Sequence, residues 1–186
     1  MNREREKGID FEKQQRLFEI EKEVAEMEDN LGKEIDPGIR ETLVSVKAHD
    51  LPTSQSCEGH NHRGEALPWI QIENPAPAGW EEDDNKKELW CRWNKRDADK
   101  LQILLDEWYE ERNKQGQEVR DKLKLDLMPI SQYQAVRLEP KAQAEISGKG
   151  KVTKKMKKER EKQDLEPYKK EMKDFGQWLR NKFLEE

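Results

Sequence analysis

Apolar residues recur along this chain with two periods, one of three to four residues and one of two. Leu17, Ile20, Val24, Met27 and Leu31 follow 3-4-3-4 spacing and share one helical stripe, which Phe18 widens. The stripe predicts a helix over about residues 10–31, ending at Asn30-Leu31-Gly32, where Gly32 suits a left-handed position. Asp36-Pro37 starts a second helix, with Asp36 as N-cap and Pro37 at the first helical position. Its short face is Ile39, Leu43 and Val46, and Leu51-Pro52 ends it by about residue 50. Leu165, Tyr168, Met172, Phe175 and Leu179, flanked by Trp178 and Phe183, repeat the 3-4-3-4 pattern and predict a C-terminal helix.

The period-two segments lie between these helices. Residues 53–62 are polar and rich in small hydroxyl side chains, and they read as an extended segment running into a loop. Pro68-Trp69-Ile70-Gln71-Ile72 alternates as a half-buried strand, with Trp69 and Gln71 on one face and Ile70 and Ile72 on the other. Residues 74–88 read as a Pro-rich connection, its Glu81-Glu82-Asp83-Asp84 run a solvated loop. Leu89-Trp90-Cys91-Arg92-Trp93 alternates again, and its aromatic content favours a strand over a helix. Asp97 then caps a helix faced by Leu101, Leu104, Leu105 and Trp108, ending near Asn113. Residues 115–129 carry no decisive pattern. Tyr133 to Leu138 reads as a final strand closed by Pro140.

These elements predict an α+β fold, a small and mainly antiparallel sheet packed by helices, with amphipathic helices at both ends. The expected organisation is an N-terminal helix over 1–35, a core domain over 36–140, a basic linker over 141–163 and a terminal helix over 164–186. The linker holds Lys149, Lys151, Lys154, Lys155, Lys157, Lys158, Arg160 and Lys162 and little that could enter a core. The stripes of the two terminal helices need a partner, within the chain or on another protein.

Composition narrows this reading. Charged residues make up 41 % of the chain and apolar ones 32 %, yet acids and bases nearly cancel to a net −5. The core is therefore expected to be small, with six Trp supplying much of its area. A slightly acidic chain has no global pull toward nucleic acid, so only a local patch argues for it. The candidates are the basic linker, with Trp90, Arg92 and Trp93 as stacking groups. No stretch approaches a membrane span and no apolar leader opens the sequence, so the expected location is the cytoplasm. There the two cysteines, Cys57 and Cys91, are expected as thiols rather than a disulfide.

Candidate chemistry gathers in one place. All three histidines, His49, His60 and His62, lie within fourteen positions, and Cys57 sits among them. The spacing of Cys57 and His60 lets both side chains reach one ion from a turn, and zinc takes thiolate and imidazole together. His62 or His49 would add a ligand, and Cys91 would arrive from a neighbouring strand. No paired Cys-x-x-Cys accompanies them. A second reading makes Cys57 a nucleophile with His60 as base. The surrounding Ser56, Glu58 and Gly59, with Arg92, would then contact a ligand. A third gives Cys57 and His60 packing roles only. No Walker loop, dinucleotide-binding glycine motif or zinc-deaminase signature is present.

Leu-Pro-Thr-Ser-Gln-Ser-Cys-Glu-Gly-His at 51–60, Pro-Trp-Ile-Gln-Ile at 68–72, Leu-Leu-Asp-Glu-Trp-Tyr at 104–109 and Arg-Leu-Glu-Pro at 137–140 together resemble a group of bacterial proteins with no assigned activity. The likeness spans roughly residues 40–140 and implies that the Cys57 loop matters. Over about ten residues, Thr-Ser-x-Ser-Cys-x-Gly between a helix and a strand is also similar to the opening of the tRNA wybutosine-synthesising methyltransferase family. That family carries Arg where this chain has His60, and its later motifs do not follow. The likeness implies an RNA-linked alternative. The leading expectation is a binding protein that presents Cys57–His62 as a ligand or metal site, the alternative an enzyme using Cys57 and His60.

Overall fold

The computed structural model describes residues 2–28, 32–60, 65–117, 119, 122–128, 133–143 and 164–186, and of residues 2–10 the backbone alone. Its elements are α1 (Asn2–Glu26), α2 (Pro37–Ala48), β1 (Thr53–Cys57), β2 (Trp69–Ile72), α3 (Asp84–Lys114), β3 (Leu123–Leu127), β4 (Val136–Pro140) and α4 (Glu166–Glu185). The four strands form one antiparallel sheet in the order β1-β2-β4-β3. The α+β fold expected from the sequence is the one observed. No described helix is long and apolar enough to cross a membrane.

One face of the sheet is apolar and lies under the helices. Ile70, Ile72, Leu123, Val136 and Leu138 belong to a single core with Leu17, Ile20 and Val24 of α1, Leu43 and Val46 of α2, Leu101 and Leu105 of α3, and Met172, Phe175 and Leu179 of α4. Both terminal helices thus bury most of their stripes within the chain, but Phe18, expected to widen the first stripe, is exposed, and Leu31 lies outside the described residues. Phe175 alone, fully buried, contributes roughly 1.5–3 kcal/mol by leaving water. The stripes exist because residues three and four apart share a helix face.

Helices α2 and α4 meet at Gly176. A Cβ built there would lie 2.6 Å from Thr42 Oγ1 and 2.7 Å from Thr42 Cα, so only glycine allows this approach. The Thr42 hydroxyl donates to the Met172 carbonyl at 3.2 Å across the same contact. A second tie joins α3 to α4 and β3. The Tyr109 hydroxyl donates to Glu171 at 3.0 Å and accepts from the Leu123 N–H at 2.6 Å, while Arg112 donates to the other Glu171 oxygen at 2.8 Å. Burial pushes the Tyr109 phenol well above its ordinary pKa, so the donor role is fixed.

The other sheet face is polar. Register places Cys57 opposite Trp69, Gln55 opposite Gln71, Gln71 opposite Arg137, Arg137 opposite Asp126 and Glu139 opposite Lys124. Direct partners in an antiparallel pair point to the same side, so these side chains form one surface. All four residues of β2 are buried, not only the expected half.

Several expectations need correction. Residues 89–93 are not a strand but part of the 31-residue helix α3. Its buried stripe is Trp90, Asn94, Asp97, Leu101, Leu104, Leu105 and Trp108, helical in spacing but polar at two positions. Those two polar residues are satisfied: Asn94 Oδ1 accepts from the Asn74 backbone at 2.7 Å and Asp97 Oδ2 from the Asn74 amide at 2.7 Å. Asp97 is thus a mid-helix residue. The N-cap is Asp83, taken from the supposed acidic loop, whose carboxylate accepts from Asn85 at 2.9 Å. Helix α1 begins at Asn2 rather than near residue 10 and ends at Glu26 rather than 31. Pro140 belongs to β4, paired with Leu123, and the undecided stretch after 115 contains β3. The basic run Lys149–Lys162 lies outside the described residues.

Candidate functional site

Helix α2 begins at Pro37, and Asp36 before it does not cap the helix with its side chain. The carboxylate turns instead toward the end of β1. Its Oδ2 accepts from the Glu58 N–H at 3.4 Å and meets His60 Nε2 at 3.1 Å. The vacated capping role falls to Glu58, whose Oε2 accepts from the Gly38 N–H at 2.7 Å. A carboxylate at a helix N-terminus is favoured both by the orphan N–H groups and by the helix dipole. Asp36 and Glu58 have in effect exchanged places, and the exchange docks the 57–60 turn on the end of α2.

The turn itself depends on Gly59. Its φ of +84° lies in the left-handed region, and a Cβ there would sit 2.5 Å from the Ala66 carbonyl oxygen and 2.8 Å from the Leu67 carbonyl carbon. The Gly59 N–H points at Cys57 Sγ, 3.4 Å away. A donor aimed at sulfur stabilises negative charge there. The His60 N–H donates to the Glu65 carbonyl at 2.9 Å and closes the loop.

The result is a convergence of three side chains of types that can bind a metal. One donor atom each of Asp36, Cys57 and His60 lies within 4.8 Å of the others, and all three residues are partly buried. The imidazole is held between carboxylates, Nε2 on Asp36 and Nδ1 at 3.9 Å from Glu58 Oε1, and only 12 % of that side chain is exposed. A groove of about 650 Å³ runs past Glu58 and Gly38 to the first turns of α4, with Lys169, Lys170 and Lys173 on its far wall.

The other sequence candidates are dispersed. His49 sits at the opposite end of α2, buried, with Nε2 2.9 Å from the Leu179 carbonyl and its ring edge-on to Phe183. Ser56 pairs with Ile70, one residue out of phase with Cys57, and so faces the other side of the sheet. Cys91 and Arg92 lie on α3, Arg92 exposed, and the two cysteines are not joined by a disulfide. Trp90 is buried and stacked on Tyr133 at 4.3 Å with 15° between planes, so its face is taken within the chain. His62 lies outside the described residues. Asp36 is the member that sequence reasoning missed, because an Asp before Pro at a helix start already has a complete local explanation.

No protein family, curated protein or solved structure matches this chain.

Proposed function

We propose that this is a metal-binding protein in which Asp36, Cys57 and His60 hold one divalent transition ion, zinc by the character of the donors. The observation that carries the reading is the mutual approach of those three donor atoms to within 4.8 Å. Tetrahedral zinc with ligand bonds near 2.1 Å separates neighbouring N and O ligands by about 3.4 Å. The present Asp36 to His60 separation is 3.1 Å, so an ion can replace the shared proton with little movement. Binding then releases protons and weakens as pH falls. Glu58 beside Nδ1 supports the outer shell, as carboxylates do for ligating histidines.

Three ligands come from the described residues, and the fourth position of a tetrahedral ion would be taken by a further protein ligand, by water or by a bound molecule. A second reading uses the same residues without metal. The Asp36–His60 contact orients an imidazole near the Cys57 thiol, as in nucleophile–base–orienter sets. Elemental analysis of the purified full chain separates the two. The metal reading expects about one zinc per chain, lost in Cys57→Ser, His60→Ala and Asp36→Asn while far-UV circular dichroism is kept. Metal-free protein whose Cys57 alkylates rapidly, and slowly after His60→Ala, establishes the thiol reading. Absence of both properties leaves the cluster a packing feature and ends the proposal.

A further inference from the structure

Three residues that hold no metal connect the candidate site to the centre of the sheet. Arg137 lies in β4, which is paired on both sides, with β2 and with β3. Its guanidinium stacks on the Trp69 ring, 3.9 Å from the centroid, and donates to Glu65 Oε1 at 2.8 Å. Gln143 holds the other Glu65 oxygen through its side-chain amide. The Glu65 carbonyl in turn accepts the His60 N–H at 2.9 Å. Next to it, Ala66 and Leu67 press on Gly59 closely enough to exclude a side chain there.

We infer that Arg137 is a positioning residue for the metal site, acting through Glu65 to fix the backbone of His60 against Asp36. This rests on the metal reading above. The energetic logic is that of preorganisation. A ligand turn held by its own hydrogen bond alone samples other arrangements, and each must be given up when an ion binds. Clamping Glu65 on both carboxylate oxygens removes that freedom. The planar Arg fork suits the task, because stacking on Trp69 fixes its plane while one edge reaches the carboxylate. Arg137 acts through its bond to Glu65 rather than as a ligand, so outer-shell losses are the right scale, about 10- to 100-fold in affinity.

The test uses the full chain with cobalt(II) as probe, read by its thiolate charge-transfer absorption and by competition with a chelator. Glu65→Ala and Arg137→Met, the second chosen to keep apolar bulk over Trp69, are expected to weaken cobalt binding about 10- to 100-fold. Arg137→Lys is expected to recover part of the loss. In the metal-free protein, hydrogen exchange at the His60 amide should speed up in both weakened variants. Tyr109→Phe provides the control, since it loosens the α3–α4 tie, which shares no residue with this loop, and should lower the melting temperature without changing cobalt affinity. Wild-type affinity in Glu65→Ala and Arg137→Met overturns the inference, as does an equal loss in Tyr109→Phe. A wild-type chain that takes up no cobalt overturns the metal reading itself and the inference with it.

Discussion

Gly176→Ala tests the packing that holds α2, and its sign is diagnostic. In an exposed helix interior, replacing Gly by Ala stabilises by roughly 0.5–1 kcal/mol. At position 176 the new methyl would meet Thr42 Oγ1 at 2.6 Å, Cα at 2.7 Å and Cβ at 2.9 Å. Comfortable carbon contacts begin near 3.5 Å, so the two helices must part by roughly 1 Å. Overpacking of this kind costs about 1–3 kcal/mol, and the upper half applies because a backbone atom cannot rotate aside. Subtracting the propensity gain leaves a net loss of about 1–2.5 kcal/mol. For a chain of this size, that corresponds to roughly 2–10 °C in melting temperature. Thermal unfolding by near-ultraviolet circular dichroism, with a urea midpoint as a second measure, reads it directly. Adding Thr42→Ala removes the hydroxyl but leaves Cα and Cβ in place, so it should not restore stability. An unchanged or raised melting temperature in the single variant would refute the close approach of α2 and α4. Rescue by Thr42→Ala would show that the contact is made by a side chain and not by the backbone.

Gly59→Ala forces a Cβ onto the Ala66 carbonyl from a left-handed backbone, so it should abolish metal uptake even where the rest of the chain still folds. Elemental analysis beside circular dichroism checks it, and retained uptake would contradict the turn geometry. Glu139 is buried on the polar sheet face, where desolvation outweighs Lys124 and Arg137 and holds its carboxyl above the ordinary range. An acid whose folded pKa is raised binds protons more readily when folded, so its effect on stability is absent below the unfolded pKa and turns unfavourable as pH rises through the folded one. Glu139→Gln should therefore be at least as stable as wild type at neutral pH, with any advantage vanishing in acid. Urea midpoints across pH 3–8 measure this, and a loss confined to neutral pH would reverse the assignment.

Much of the fold was readable because hydrophobic spacing and burial coincide. Ile39, Leu43 and Val46 on α2, and Met172, Phe175 and Leu179 on α4, are buried where their spacing put them. The first half of α3 was not, because Asn94 and Asp97 occupy core positions of its stripe. A pattern search sees two polar interruptions there. The structure sees two groups bound to Asn74, whose location no local rule supplies. The candidate site divides in the same way. Cys57 and His60 were visible as near neighbours in sequence, but Asp36 meets His60 across 24 positions, by a contact that exists only once β1 returns to the start of α2. His49 shows the converse: near Cys57 in sequence, it closes the far end of α2 because a helix carries its two termini apart.

The bonds that seat α2, Thr42 to Met172 and His49 to Leu179, each span 130 positions. During vectorial synthesis, Asp36, Cys57 and His60 leave the ribosome long before α4 does. At about 5–20 residues per second, the roughly 120 residues from the site to the end of that contact take on the order of 6–25 s. Through that interval α2 has no α4 to dock on, and Cys57 is a thiol on an unbraced nascent segment. Order of emergence, rather than affinity alone, then governs what the thiol meets first.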